Sequence, residues 1–140
     1  MTSSFKTTRR VEFRDTDAAG IMHFSVFFTA MESAEQEFLR SRGLSVVLSR
    51  DGDEVAFPRV AARCDYQSPL KFDDEYQIEV RIARIGSKSV TYEFLFTQGE
   101  RAVAAGEITT VCCRLAADRA PVSIPIPEWI LERLRGDATG

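Results

Sequence analysis

The sequence predicts an α+β domain: a five-stranded antiparallel sheet wrapped around one long central helix, with a short helix near the C-terminus. Three observations carry that expectation. Only one stretch, from Ser25 to Arg42, keeps an amphipathic helical period over several turns. Five other segments alternate or run apolar in the way strands do. Every connection between the later strands is hairpin-length except the Ser68 to Glu75 loop, and hairpins join antiparallel neighbours. The 140 residues fit one domain spanning 1–140, and a chain of that length buries roughly 68% of its unfolded surface.

The first strand is expected over residues 5 to 14, where Val11 and Phe13 alternate with Glu12 and Arg14. It stops at the turn-rich run Asp15-Thr16-Asp17-Ala18-Ala19-Gly20. The helix follows, with Phe27, Phe28, Met31, Ala34, Phe38 and Leu39 on one stripe. Ser25 stands where an N-cap belongs and Gly43 where a C′ glycine does. Residues 49 to 54, Ser-Arg-Asp-Gly-Asp-Glu, are expected to be a polar loop. Three alternating strands come next, centred on Val60–Tyr66, Tyr76–Ile82 and Val90–Thr97. Pro58 and Pro69 bound the first of them. Gly86-Ser87 and Gln98-Gly99-Glu100 are the turn signals between neighbours. Residues 101 to 115 form the last strand, with a bulge expected at Gly106. After Pro121, Pro125 and Pro127, Glu128 to Arg135 has an amphipathic pattern that docks Trp129, Ile130 and Leu134. One helix covers one sheet face, so the other face and the sheet edges call for a second copy, and a homodimer is expected.

Composition excludes several classes. Hydrophobic residues make up 44%, with ten Phe, three Tyr and one Trp, which is incompatible with disorder. The net charge of −3 argues against nucleic acid as a partner. No apolar run approaches the ~20 residues of a membrane helix, and the start of the chain has no apolar signal-peptide core. Three cysteines (Cys64, Cys112, Cys113) and one histidine (His23) give no zinc-ligand spacing, so no metal is expected and a reduced, cytoplasmic protein is. Adjacent Cys112 and Cys113 would point to opposite faces of a strand.

Asp15-x-Asp17 is the most chemical feature. An EF-hand reading places Asp15, Asp17 and Gly20 correctly but fails at Ala19 and at Val26, where a bidentate Glu is required. An Asp-x-Asp phosphatase needs a larger parallel α/β domain, and no such architecture is visible. Two turn-forming aspartates that only cap nearby backbone would be the plain structural role. The position adds chemistry: Asp17 precedes Phe24, at the start of the long helix, by seven residues. Free N–H groups there carry partial positive charge, so a carboxylate and an oxyanion donor come together.

The run Val11-Glu12-Phe13-Arg14-Asp15-Thr16-Asp17-Ala18-Ala19-Gly20-Ile21-Met22-His23-Phe24 resembles the opening of 4-hydroxybenzoyl-CoA thioesterase-like hotdog proteins. Phe27-Phe28 with Met31-Glu32 and Ala34-Glu35, then Tyr66-Gln67-Ser68-Pro69 with Asp74, and Gly86-Ser87-Lys88-Ser89-Val90 are similar to later family segments. The resemblance covers residues 8 to 128 and implies the hotdog fold and acyl-CoA thioester hydrolysis. It implies Asp17 as the catalytic carboxylate, nucleophile or general base, with Asp15 shaping the loop. It implies the Phe24 backbone N–H as the donor to the thioester carbonyl. His23, Phe57 and Arg59 are its substrate-binding candidates, and Lys88, Ser89 and Arg84 its CoA-binding ones. Glu32 and Glu35 are expected at the solvent or the subunit interface. No cofactor is implied, since CoA belongs to the substrate. An acyl carrier protein is the alternative donor, and a dimer of dimers the further assembly. A dehydratase that relies on His23, and a non-catalytic acyl-CoA-binding protein, are the competing functions.

Overall fold

The computed structural model describes residues 4–136. The main sheet is antiparallel with five strands: β1 (Phe5–Arg10), β4 (Arg59–Tyr66), β5 (Glu75–Ile85), β6 (Ser89–Gln98) and β7 (Arg101–Val111). Their spatial order is β1-β5-β6-β7-β4. The long helix α1 (Val26–Ser41) lies across one face. Alternation places Ile78, Val80, Tyr92, Phe94 and Phe96 on the face that meets α1. The helix answers with Phe27, Met31, Ala34 and Phe38, all buried, so the stripe legible in the sequence is the core. Gly43 ends the helix at φ +71°. The opposite sheet face is charged, with Arg81–Glu93 at 3.0 Å and Arg63–Glu107 at 4.0 Å.

A second, smaller sheet was not expected. It contains β2 (Val47–Arg50), β3 (Asp53–Ala56), β8 (Cys113–Ala116) and β9 (Arg119–Ser123), in the order β2-β3-β8-β9. The expected polar loop at 49 to 54 is in fact the β2–β3 hairpin. Asp51 (φ 54°) and Gly52 (φ 85°) form its two-residue turn, and two positive φ angles suit the right-handed twist of a tight hairpin. The expected last strand is two strands broken at Cys112, whose N–H bonds the Lys88 carbonyl at 2.7 Å. The chain changes sheets there, and Cys112 and Cys113 are both buried. Helix α2 (Glu128–Leu134) buries Ile130 and Leu134, and the half-buried Trp129 ring lies 4.6 Å from the Arg50 guanidinium.

Three local expectations are corrected. The first strand ends at Arg10: Val11, fully buried in the core, exchanges backbone bonds with Asp73 and Asp74, and Phe13–Asp15 closes a 3₁₀ turn. The Gly86–Lys88 connection is a three-residue loop, with Gly86 outside the left-handed region. Gly106 makes no bulge, since its register with Cys64 and Phe94 is continuous. A Cβ at Gly106 would run into the Met31 sulfur, with the Met31 Cε at 2.8 Å, so this glycine lets the helix approach the sheet closely. Gly106→Ala is expected to cost about 1–3 kcal/mol by overpacking. The urea midpoint should fall with the m-value unchanged.

Candidate active site

The loop before α1 is built by its own side chains. Asp15 Oδ2 accepts the Glu12 N–H at 2.9 Å, closing a capping box around the 3₁₀ turn. Its carboxylate lines a polar groove beside Arg9, Arg10 and Arg14, away from the apolar cleft described next. Asp17 Oδ1 accepts the N–H groups of Ala19 (2.8 Å) and Ile21 (3.4 Å). Gly20 supplies the positive φ (+81°) the loop requires. Bridges from Thr16 to Met22 and from Ile21 to Lys71 tie the loop down. Asp17 Oδ2 has no partner among the described residues.

Asp17 and Phe24 line one cleft of about 380 Å³, walled by Met22, Phe27, Tyr66, Gln67 and Pro69. Ser25 occupies the N-cap position without capping through its side chain. Its Oγ lies 2.8 Å from His23 Nδ1, and that nitrogen also accepts the Ser25 N–H at 3.2 Å. The His23 ring stacks on Phe24, with centroids 4.6 Å apart. His23 is therefore committed to the helix entrance and does not line the cleft. A dehydratase built on it lacks support. The Phe24 N–H has no acceptor among the described residues. The His23 carbonyl of the same peptide unit accepts the Val26 N–H at 3.0 Å. In a trans peptide the two groups point opposite ways, so the Phe24 N–H is directed away from the helix.

The remaining sequence-named residues lie elsewhere. Along β4, Tyr66 at the cleft and Arg59 are seven residues apart, roughly 23 Å at the rise of an extended strand. Phe57, Arg59, Arg84, Lys88 and Ser89 all sit at the Arg59 end, because Arg59 pairs Thr110, Thr110 pairs Val90, and Val90 pairs Ile85. Arg84 donates to Thr91 Oγ1 at 3.2 Å. Lys88 is exposed, and its ammonium has no acidic partner among the described residues. Arg59 Nη2 donates to Glu35 Oε1 at 2.7 Å and lies 3.9 Å from Glu32. Glu35 was expected at an exposed or interface position, but it is 1% exposed within the chain itself. Burial raises its pKa even though Arg59 opposes the shift. Arg59 Nε is buried with no partner among the described residues.

Sequence reasoning did not single out Tyr66, Gln67 or Pro69 as site residues. They reach the cleft from the far end of β4, and only the Tyr66-Gln67-Ser68-Pro69 segment pointed to them. Burial pushes the Cys112 thiol up to about 11 and raises Cys64 as well, so neither offers a thiolate near neutrality. Among the described residues no three His, Cys, Asp or Glu side chains group as metal ligands. No helix among them is long and apolar enough to cross a membrane.

A profile described as the Thioesterase-like superfamily matches residues 11–134. The chain belongs to this superfamily. Its hotdog architecture is shared with a solved gentisyl-coenzyme A thioesterase, at a TM-score of 0.78 and 28% identity, covering 93% of this chain and 99% of that one. A 1,4-dihydroxy-2-naphthoyl-CoA hydrolase from Nostoc punctiforme is 33% identical over 141 residues, covering 98% of this chain and 93% of the relative. An Aquifex aeolicus protein provisionally named an esterase is 34% identical over 128 residues, covering 91% and 94%. The protein is thus a hotdog thioesterase, an enzyme for thioester hydrolysis.

Proposed function

We propose that the protein hydrolyses aryl-CoA thioesters at the Asp17–Phe24 cleft, in a homodimer whose second copy supplies the CoA-binding charges. The observation that carries this reading is that Asp17, with one carboxylate oxygen unpartnered among the described residues, and Phe24, with its backbone N–H likewise unpartnered, line one aromatic-walled cleft. Phe24, Phe27 and Tyr66 suit a flat acyl group, and two of the three named relatives, the 1,4-dihydroxy-2-naphthoyl-CoA hydrolase and the gentisyl-coenzyme A thioesterase, are named for aromatic acyl-CoA thioesters. The Phe24 N–H donates to the thioester carbonyl and stabilises the charge that develops on its oxygen. Asp17 Oδ2 then adds to the carbonyl carbon and CoA leaves as thiolate, giving a mixed anhydride that water opens. In the second form of the step, Asp17 takes a proton from a water that adds to the carbonyl. A thiol pKa near 8.5 makes the leaving group a good one without an acid partner, so a cleft without histidine suffices. No cofactor is required, because CoA is part of the substrate. An acyl carrier protein would present the same thioester.

Dimerisation reconciles the two ends of the sheet. Strand β4 is an edge, bonded among the described residues only to β7, and it exposes Val60 (61%) with Ala61 and Ala62. The other edge, β1, is guarded by the exposed Lys6 and Arg10. Two copies joined antiparallel through β4 about a two-fold axis bring the Arg59 end of one to the Tyr66 end of the other. Lys88, Ser89 and Arg84 from the partner subunit then approach the cleft mouth, where CoA phosphates need positive charge. Lys88→Glu is expected to raise KM for CoA substrates roughly 10–100-fold with kcat nearly kept, the size of a lost charged hydrogen bond. Co-expression with Asp17→Asn tests the sharing. The mixed dimer keeps one site with both residues intact, so its KM should return to the wild-type value. A KM that stays elevated would place Lys88 and Asp17 in the same subunit's site.

A further inference from the structure

We propose that Tyr66 is a positioning residue for the oxyanion donor. Its hydroxyl donates to the Phe24 carbonyl at 2.8 Å and latches the end of β4 onto the helix entrance. The inference rests on the thioesterase reading of this cleft and extends it to a residue outside the chemistry. Around Phe24, the neighbouring backbone groups are engaged. The His23 N–H bonds the Asp15 carbonyl (2.8 Å) and the His23 carbonyl accepts from Val26 (3.0 Å). The Ser25 N–H bonds His23 Nδ1 (3.2 Å). The Phe24 N–H is the group left over. It lies in the His23–Phe24 peptide plane, whose orientation is set by the Val26 bond at one end and by the position of Phe24 Cα at the other, and the Phe24–Ser25 plane anchors that Cα. The His23–Phe24 plane is held by the Val26 bond, and the Phe24–Ser25 plane by Tyr66 from one side and His23 from the other. Removing the hydroxyl frees one restraint on a group that must meet a developing charge within hydrogen-bond reach. The ring has a separate role: it stands edge-on to Phe27 with centroids 5.0 Å apart and closes the cleft wall.

Tyr66→Phe keeps the ring and removes the latch, together with the hydroxyl's contact to the Cys64 thiol, which lies outside the cleft lining. Full loss of an oxyanion donor costs ~10²–10³-fold in kcat, so a loosened donor is expected to cost about 10-fold, with KM unchanged. A purely structural role would not move the donor's grip on the carbonyl, and infrared spectroscopy reads that grip directly. Benzoyl-CoA labelled with ¹³C at its carbonyl, bound to Asp17→Asn, should show a lowered stretch from the Phe24 hydrogen bond. In Asp17→Asn/Tyr66→Phe the band should move back toward its value in water and broaden. A Tyr66→Phe enzyme within twofold of wild-type kcat, or a band unmoved by the second substitution, overturns the proposal while leaving the thioesterase reading in place. A rise in KM in place of the kcat loss also overturns it, by making the hydroxyl a substrate contact. Wild-type silence on every thioester removes both.

Discussion

Asp17→Asn should lose activity by about 10²–10⁴-fold in kcat, the range for removing a general base. The substitution is a clean one here. Asn keeps an oxygen at the Oδ1 position, so the bonds from the Ala19 and Ile21 N–H groups survive and the loop keeps its shape. What disappears is the second carboxylate oxygen, Oδ2, which has no partner among the described residues; Asp17 lines the cleft with Phe24. The free N–H remains, so substrate binding is retained and the loss appears in kcat. Steady-state kinetics with a thermal melt checks both halves. Near-normal turnover would remove Asp17 from the chemistry, and a collapse in melting temperature would contradict the intact loop.

The largest expected stability effect lies at the other end of α1. Arg59→Met should destabilise the protein by about 3 kcal/mol, the low end for breaking a buried ion pair, because Arg59 itself keeps 27% exposure. Glu35 is 1% exposed and would be left as an uncompensated carboxylate in the core. The sign of the pH dependence follows. Burial already raises the Glu35 pKa above 4.5 in the folded state, and loss of Arg59 raises it further. A carboxyl with a raised folded pKa favours folding while protonated. The deficit of the variant is therefore smallest below the unfolded pKa near 4.5 and grows as pH rises through the folded value. Denaturant unfolding of the variant and wild type from pH 4 to 8 measures it. The double variant Arg59→Met/Glu35→Met should recover most of the loss, since an apolar pair of similar volume carries no desolvation cost. A deficit independent of pH would show that packing, not the stranded carboxylate, is responsible.

What could be read in the sequence was what depends on local pattern. The α1 stripe, the alternation of β4 to β6 and the spacing from Asp17 to Phe24 are contained in short windows, and each falls where the pattern placed it. The β2–β3 hairpin was hidden because Ser49, Arg50, Asp53 and Glu54 are exposed on a small outlying sheet and show no apolar alternation. Its Asp51-Gly52 turn was the available signal. At Val11 the alternation continued past the end of the strand, because Val11 enters the core from a loop whose backbone bonds Asp73 and Asp74. A glycine inside a strand signals either a bulge or a close approach, and only the position of Met31 decides for Gly106. Tyr66 reaches the site from 42 residues beyond Phe24, a pairing no local window contains. Buried Glu35 was hidden for the same reason, since its charge is tolerated through Arg59 on another element.

Thiol release from a panel of acyl-CoA thioesters, with aryl and alkyl acyl groups side by side, decides whether the Asp17–Phe24 cleft hydrolyses aryl thioesters. The structure predicts turnover by the wild-type protein, fastest on the aryl members, with Asp17→Asn reduced at least 10²-fold on the same substrates. No thiol release from any thioester in the panel, or equal release by wild type and Asp17→Asn, would contradict it.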